Sequence, residues 1–206
     1  MTPRGTFAYH GVDVPPLVRR AVALALQIGF EDSCLPETGQ LLRILAGGVV
    51  DGIVGETGTG CGVGLAWLAS GARPRTRLVS AEIDAPLASA AQELFADNPS
   101  VAVLHGDAGT LLELGPFDLL ILDGGAGAGK AGEVPVDPQQ VLTPTGTLVI
   151  DDFLPMTTWP PTLSTGEPDI ARQHWLEHPG LFTAELTVAS SVPPTSVLVG
   201  RRRPSP

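Results

Sequence analysis

Five of the ten residues in Gly55-Glu56-Thr57-Gly58-Thr59-Gly60-Cys61-Gly62-Val63-Gly64 are glycine, and this stretch decides the fold. An apolar run with Val49, Val50, Ile53 and Val54 leads into it, and Leu65-Ala66-Trp67-Leu68-Ala69 follows as the start of a helix. A strand feeding a helix through such a turn lets backbone come close to a ligand, with the first unpaired N–H groups of the helix pointing at it. A dinucleotide fingerprint needs Gly-x-Gly-x-x-Gly. Counted from Gly58 its last position is Val63, and counted from Gly60 it is Leu65, so the register excludes a nicotinamide dinucleotide.

Outward from the turn, short β-rich runs at 49–55, 76–81, 101–104, 117–122 and 146–150 alternate with helical patterns at 63–70, 85–96, 108–114 and 136–142. That rhythm predicts parallel strands covered by helices on both faces. Upstream, Pro15 and Pro16 open one helix running on to Phe30, and a second is expected over 36–46. Beyond Asp152 the rhythm breaks into a proline-rich loop (153–168), a helix (169–178) and two strands, 181–190 and 195–200, paired antiparallel around Val192-Pro193-Pro194. The expected fold class is α/β: a Rossmann-like, doubly wound, mostly parallel seven-stranded sheet with an antiparallel terminal strand and helices on both faces. One domain spans 1–206. It divides into a helical arm (1–47), a core (48–152), a segment holding the loop, last helix and hairpin (153–200) and a frayed basic tail (201–206).

The chain carries 22 Asp and Glu against 12 Lys and Arg, a net charge of −10, and Lys130 is its single lysine. A surface tracking phosphates would need many more cations, so nucleic acid and anionic membrane are unlikely partners. The N-terminus has no basic stretch followed by an apolar core, and the run from Ala21 to Phe30 is too short to span a bilayer; a cytoplasmic location is expected. Cys34 and Cys61 have no metal-type spacing and read as small buried hydrophobes.

From Glu56 to Gly62 the turn reads Glu-x-Gly-x-Gly-x-Gly, which resembles the first motif of class I S-adenosylmethionine-dependent methyltransferases. The second strand ends in Ser80-Ala81-Glu82-Ile83-Asp84 and the third in His105-Gly106-Asp107-Ala108, similar to the same class at its ribose and adenine positions. Ser33-Cys34-Leu35-Pro36-Glu37-Thr38-Gly39-Gln40 and the helix start after the turn look like the catechol and caffeoyl-CoA O-methyltransferase type. The resemblance implies S-adenosylmethionine as cofactor, held by Glu56, Gly58, Thr59, Gly60, Gly62, Glu82, Asp107, Ala108 and Asp123, with Cys34 alongside. Glu56 can meet the methionine ammonium and Glu82 the ribose hydroxyls. It also implies a small hydroxylated, aromatic acceptor, a homodimer and a divalent metal, usually magnesium.

For the metal, Asp123 ends the fourth run and Asp151-Asp152 the fifth, where adjacent strand ends lie about 5 Å apart and hard oxygen ligands suit magnesium. The alternative is that Asp151 and Asp152 only cap a turn. Two departures stand out: Asp152 replaces the usual Asn, and Ala126 stands where the family has a lysine base. Lys130, four residues on in a glycine-rich loop, either folds back as a catalytic group beside Asp123 or is an exposed surface lysine; base action by a histidine stays open. His10 lies in the arm, His105 is read as a packing residue, and His174 and His178 share a helix face. Trp159 is a candidate wall of the acceptor pocket. Rival readings are a cofactor-binding protein without turnover and a tRNA methyltransferase of the same fold.

Overall fold

In the computed structural model, residues 5–124, 127–189 and 194–204 are described. A 3-10 turn, Gly5–Tyr9, precedes helices α1 (Pro16–Ile28) and α2 (Pro36–Gly48). Then come β1 (Ile53–Thr57), α3 (Val63–Gly71), β2 (Arg77–Glu82), α4 (Ala85–Phe95), β3 (Val101–His105), α5 (Ala108–Leu112) and β4 (Phe117–Leu122). The chain ends with α6 (Pro138–Val141), β5 (Leu142–Phe153), α7 (Ile170–Glu177), β6 (Leu181–Ala189) and β7 (Thr195–Arg202).

The seven strands form one sheet in the order β3-β2-β1-β4-β5-β7-β6. Strands β1 to β5 pair in parallel, and β7 runs antiparallel to both β5 and β6. Alternation along the strands divides the core between the two faces. Leu119, Ile121 and Val149 join the helix side of α1, α2 and α3, while Leu120, Leu122, Leu148 and Ile150 pack with Leu111, Val141 and Trp175 on the other. Order reverses between β1 and β4, so the crevice outside the carboxyl ends of these strands is where the fold places a ligand.

Boundaries moved where local chemistry overrode pattern. The first strand starts at Ile53 and not at Val49, because Asp51 takes a left-handed φ of 54° and breaks the extended run. The fifth strand is twelve residues long, taking Leu142 from the expected helix, the unassigned 143–145 and Phe153 from the expected loop, and α6 is a single turn capped by Asp137. The tail is not frayed at its start: Arg202 donates to the Leu142 carbonyl, and Arg203 donates to that of Leu181 (2.7 Å) while its guanidinium lies 4.5 Å from the Phe182 ring. The expected turn at Val192 and Pro193 lies outside the described residues. Among those described, no helix is long and apolar enough to cross a membrane.

Candidate functional site

The glycine turn leaves β1 with Gly58, Gly60 and Gly62 all in left-handed backbone, φ 79°, 52° and 81°. Any side chain there would be strained. Space is closed as well: a Cβ on Gly58 would stand 2.8 Å from the Cα of Gly124, and one on Gly60 would stand 2.8 Å from the Phe30 ring. The turn is bound to β2 by its backbone, since the N–H groups of Gly58 and Thr59 donate to the Ala81 carbonyl.

Two buried acids support this turn. Glu82 accepts from the Gly60 N–H (2.7 Å) with one oxygen and from the Asp84 N–H (2.9 Å) with the other. Glu56 accepts from Ser80 Oγ (2.7 Å), which also meets Thr59 Oγ1 (2.6 Å). Burial pushes the Glu56 carboxyl up to about 8; the Ser80 bond lowers it and Glu82 raises it. Its other oxygen lies under the start of α3, only 2.4 Å from where a Cβ of Gly64 would stand, so that glycine is required. Asp107 is exposed and caps α5 through the Thr110 N–H (3.1 Å), with Ala108 as the first helical residue.

Across the Gly58–Gly124 contact lie the acids of the other half. Thr57 Oγ1 accepts from the Asp123 N–H (3.1 Å) and donates to the Asp123 carbonyl, locking the end of β4 to the end of β1. Asp123 is pushed well above the usual carboxylate range by burial and by Asp152, Asp151 and Glu56. Asp151 rises to about 7 through burial and Asp152. Asp152 has a φ of 62° and is exposed, while Asp151 is buried. The thiol of Cys34 is raised by burial and by Asp151 and Asp123, so the segment before α2 reaches the same strand ends. The structure thus brings together Cys34, Glu56, Asp123, Asp151 and Asp152.

Whether those carboxylates suit a divalent ion depends on how they face. Among the described residues no three His, Cys, Asp or Glu side chains form a group that could hold one. One oxygen of Asp123 accepts from the Gly124 N–H and one of Asp151 from the Asp152 N–H, both at 2.8 Å. As placed, Asp123, Asp151 and Asp152 do not fit a metal, although their oxygen chemistry is suitable.

Lys130 is exposed, yet its head group is engaged. Its ammonium donates to the Asp151 carbonyl and lies 4.5 Å from the centre of the Phe153 ring. The position that Ala126 occupies lies outside the described residues. Beside Lys130 opens a cavity of about 620 Å³ walled by Asp152, Phe153, Leu154, Thr157, Leu163 and Arg172, among others. Trp159 does not line it and is 58% exposed; its loop turns the indole outward. His10 and His105 are exposed, and the His174 and His178 rings meet edge to face at 5.2 Å, away from this cavity's lining.

Three residues near the site escaped the sequence reading. Trp67 Nε1 donates to Tyr9 Oη (2.9 Å), and Tyr9 donates to the Cys34 carbonyl (2.9 Å), which clamps the N-terminal turn over the segment before α2. Gly39 is the visible trace of that clamp, since a Cβ there would enter the Trp67 ring at 2.1 Å. Arg172 is buried, paired with Asp169 (3.1 Å) and Glu185 (3.6 Å), and its guanidinium lies 4.8 Å from the centre of the Phe153 ring.

The sheet order and the left-handed glycine turn at the end of β1 resemble those of class I S-adenosylmethionine-dependent methyltransferases. Residues 56–153, from Glu56 of the turn to the end of β5, match the model of the family described as Methyltransferase domain. Solved structures agree in fold. The cofactor-bound Rv0187 protein from MTB superposes with a TM-score of 0.75 at 23% identity, over 96% of this chain and 94% of that one. An O-methyltransferase from Bacillus cereus in complex with SAH (S-adenosylhomocysteine) gives 0.72 at 17% over 94% and 93%. The O-methyltransferase TomG from Streptomyces achromogenes, involved in tomaymycin synthesis and solved with SAM, gives 0.70 at 18% over 95% and 93%. No curated protein matches the sequence.

Proposed function

We propose that this protein transfers the methyl group of S-adenosylmethionine to a hydroxyl of a small aromatic acceptor. The observation that carries the reading is the Gly58–Gly124 contact: it sets the cofactor turn directly against the Asp123 strand end, whose neighbour Asp152 lines the acceptor-sized cavity. Two structural neighbours, O-methyltransferases solved with SAH and with SAM, support the same activity. Glu56, Gly58, Thr59, Gly60, Gly62, Glu82, Asp107 and Ala108 would hold the cofactor, with Cys34 and Asp123 at its methyl end.

In this reading Phe153, Leu154 and Leu163 pack the acceptor ring, and the acceptor oxygen attacks the sulfonium methyl in line. The O–C bond forms as the C–S bond breaks, and its electron pair stays on sulfur. The hydroxyl proton passes to a carboxylate at these strand ends, Asp123 or Asp151, both of which burial holds above the usual carboxylate range. The divalent ion that the resemblance implies would require these side chains to turn. A small-molecule acceptor also fits the net charge of −10 better than tRNA does. A homodimer remains part of the proposal, read by sedimentation.

The test is transfer of labelled methyl from S-adenosylmethionine to a panel of phenols and catechols, with calorimetry of S-adenosylhomocysteine binding. Expected are 1:1 binding, a labelled ether product, and at least about tenfold weaker binding in Glu82→Ala, which removes a carboxylate that also anchors the Gly60 N–H. Absence of binding would overturn the reading.

A further inference from the structure

We propose that the ammonium group of Lys130 supplies the positive charge at the Asp123, Asp151 and Asp152 carboxylates, so that methyl transfer in this protein proceeds without a divalent metal. The inference rests on the methyl-transfer reading above.

The loop that carries Lys130 is built to deliver it. Gly124, Gly127, Gly129 and Gly132 are all left-handed, with φ of 62°, 93°, 79° and 86°, so the chain doubles back in few residues. Both sides of the lysine are then pinned. The Glu133 carboxylate accepts from the N–H groups of Gly129 (2.6 Å) and Ala131 (2.9 Å), and the buried Trp175 donates Nε1–H to the Ala128 carbonyl (2.7 Å). Val136 N–H closes the loop on the Gly127 carbonyl (3.0 Å). A tether fixed at 127, 128, 129, 131 and 136 holds the head group to a small region.

At that place the head group has two contacts, the Asp151 carbonyl and the face of Phe153, and it borders the cavity together with Asp152. Three carboxylates at adjacent strand ends need a cation nearby, because like charges at such separations cannot all ionise. Arg172, the other cation on Phe153, is held by Asp169 and Glu185. Lys130 makes no ion pair within 4 Å among the described residues, and its charge acts through space on Asp151, whose proton affinity it lowers. An ammonium is a compact point charge with three donors. One is used on Asp151, leaving others for an acceptor oxygen in the cavity. As the hydroxyl proton leaves for a carboxylate and the oxygen takes the methyl, Lys130 stays protonated and steadies the developing oxyanion.

This role separates from that of a base by substitution. Arginine keeps the charge and cannot give up a proton. With the phenol and catechol panel, wild-type transfer should be unchanged within twofold by EDTA or by added Mg²⁺. Lys130→Gln should lose about 100-fold in kcat/KM with S-adenosylhomocysteine affinity kept, and Lys130→Arg should recover at least about tenfold of that loss. A second readout needs no turnover. Mn²⁺ titrated against the protein with S-adenosylhomocysteine bound, followed by electron paramagnetic resonance, should show no site in the wild type and a site in Lys130→Gln that Asp151→Asn removes. A wild-type Mn²⁺ site lost in Asp151→Asn, metal-dependent wild-type transfer, or a Lys130→Arg protein as slow as Lys130→Gln would each overturn the proposal. Should no panel member be methylated, the methyl-transfer reading fails, and the Mn²⁺ titration still decides whether Lys130 fills the cation position.

Discussion

The two halves of the sheet's carboxyl edge treat buried acid in opposite ways. On the β1–β2 half, Glu56 and Glu82 are matched to donors of the scaffold itself, Ser80 Oγ and the Gly60 and Asp84 N–H groups. On the β4–β5 half, burial raises both Asp123 and Asp151, Asp152 and Asp151 raise Asp123 further, Asp152 raises Asp151, and the Lys130 ammonium lowers Asp151 while donating to its carbonyl. A carboxylate fixed by hydrogen bonds is a framework on which a fixed cofactor can rest. One kept near a neighbouring acid is able to take up a proton. The difference separates holding from chemistry before any ligand is considered.

The largest break in this comparison should come from Arg172→Ala on the acceptor half. It would leave Asp169 and Glu185 buried without their cation and remove a contact of Phe153, costing about 3–5 kcal/mol in denaturant unfolding. A loss below about 1 kcal/mol would mean that the pair is solvated and the cavity wall soft. Next in size is Gly58→Val, which strikes the seam between the halves. A β-branched side chain at φ 79° would press on the backbone of Gly124, and S-adenosylhomocysteine binding should weaken by about 100-fold in calorimetry, or about 2.7 kcal/mol. Binding within threefold of wild type would show that the turn yields and that the halves are not rigidly joined.

The β1–β2 half was largely legible in the sequence because its parts are local. Each candidate position there is a strand end followed within two or three residues by its turn, so the places of Glu56 and Glu82, and of Asp107 after β3, in the fold could be read from order along the chain. What was not legible lies in contacts across long separations. Nothing near Lys130 in sequence states that Glu133 and Trp175 fold its loop back, and the left-handed glycines permit this without dictating it. Similarly, Tyr9 and Trp67 are 58 residues apart and meet only because α3 packs on α1 and the turn before it. Trp159 misled for a related reason: a proline-rich loop fixes that an aromatic is nearby but not which way it points, and Phe153, hidden in an extended β5, makes the wall instead.

The finest distinction between the halves is electrostatic, and Glu56→Gln reads it. Glu56 titrates at about 8 in the folded chain against 4.5 in an exposed glutamate, so between those values the unfolded chain has released a proton that the folded one retains. Stability therefore falls as pH rises through this window, by about 1 kcal/mol per unit from this one group, and is level in its respect above pH 8. Glutamine keeps an acceptor for Ser80 Oγ and has no proton to lose. Unfolding curves from pH 5 to 8 should show the variant gaining on the wild type as pH rises. Asp123 and Asp151 tilt both proteins in the same direction, and because Glu56 also raises Asp123 the difference reads Glu56 together with its coupling to Asp123. Identical slopes would mean that water reaches this carboxyl and that it is not sealed under α3. Saturating S-adenosylhomocysteine sharpens the result: if the methionine ammonium approaches Glu56, the carboxylate form is favoured, the wild-type slope flattens, and the two proteins converge. A slope untouched by ligand would place the ammonium elsewhere along the turn and leave Glu56 as support for Ser80 and Thr59 alone.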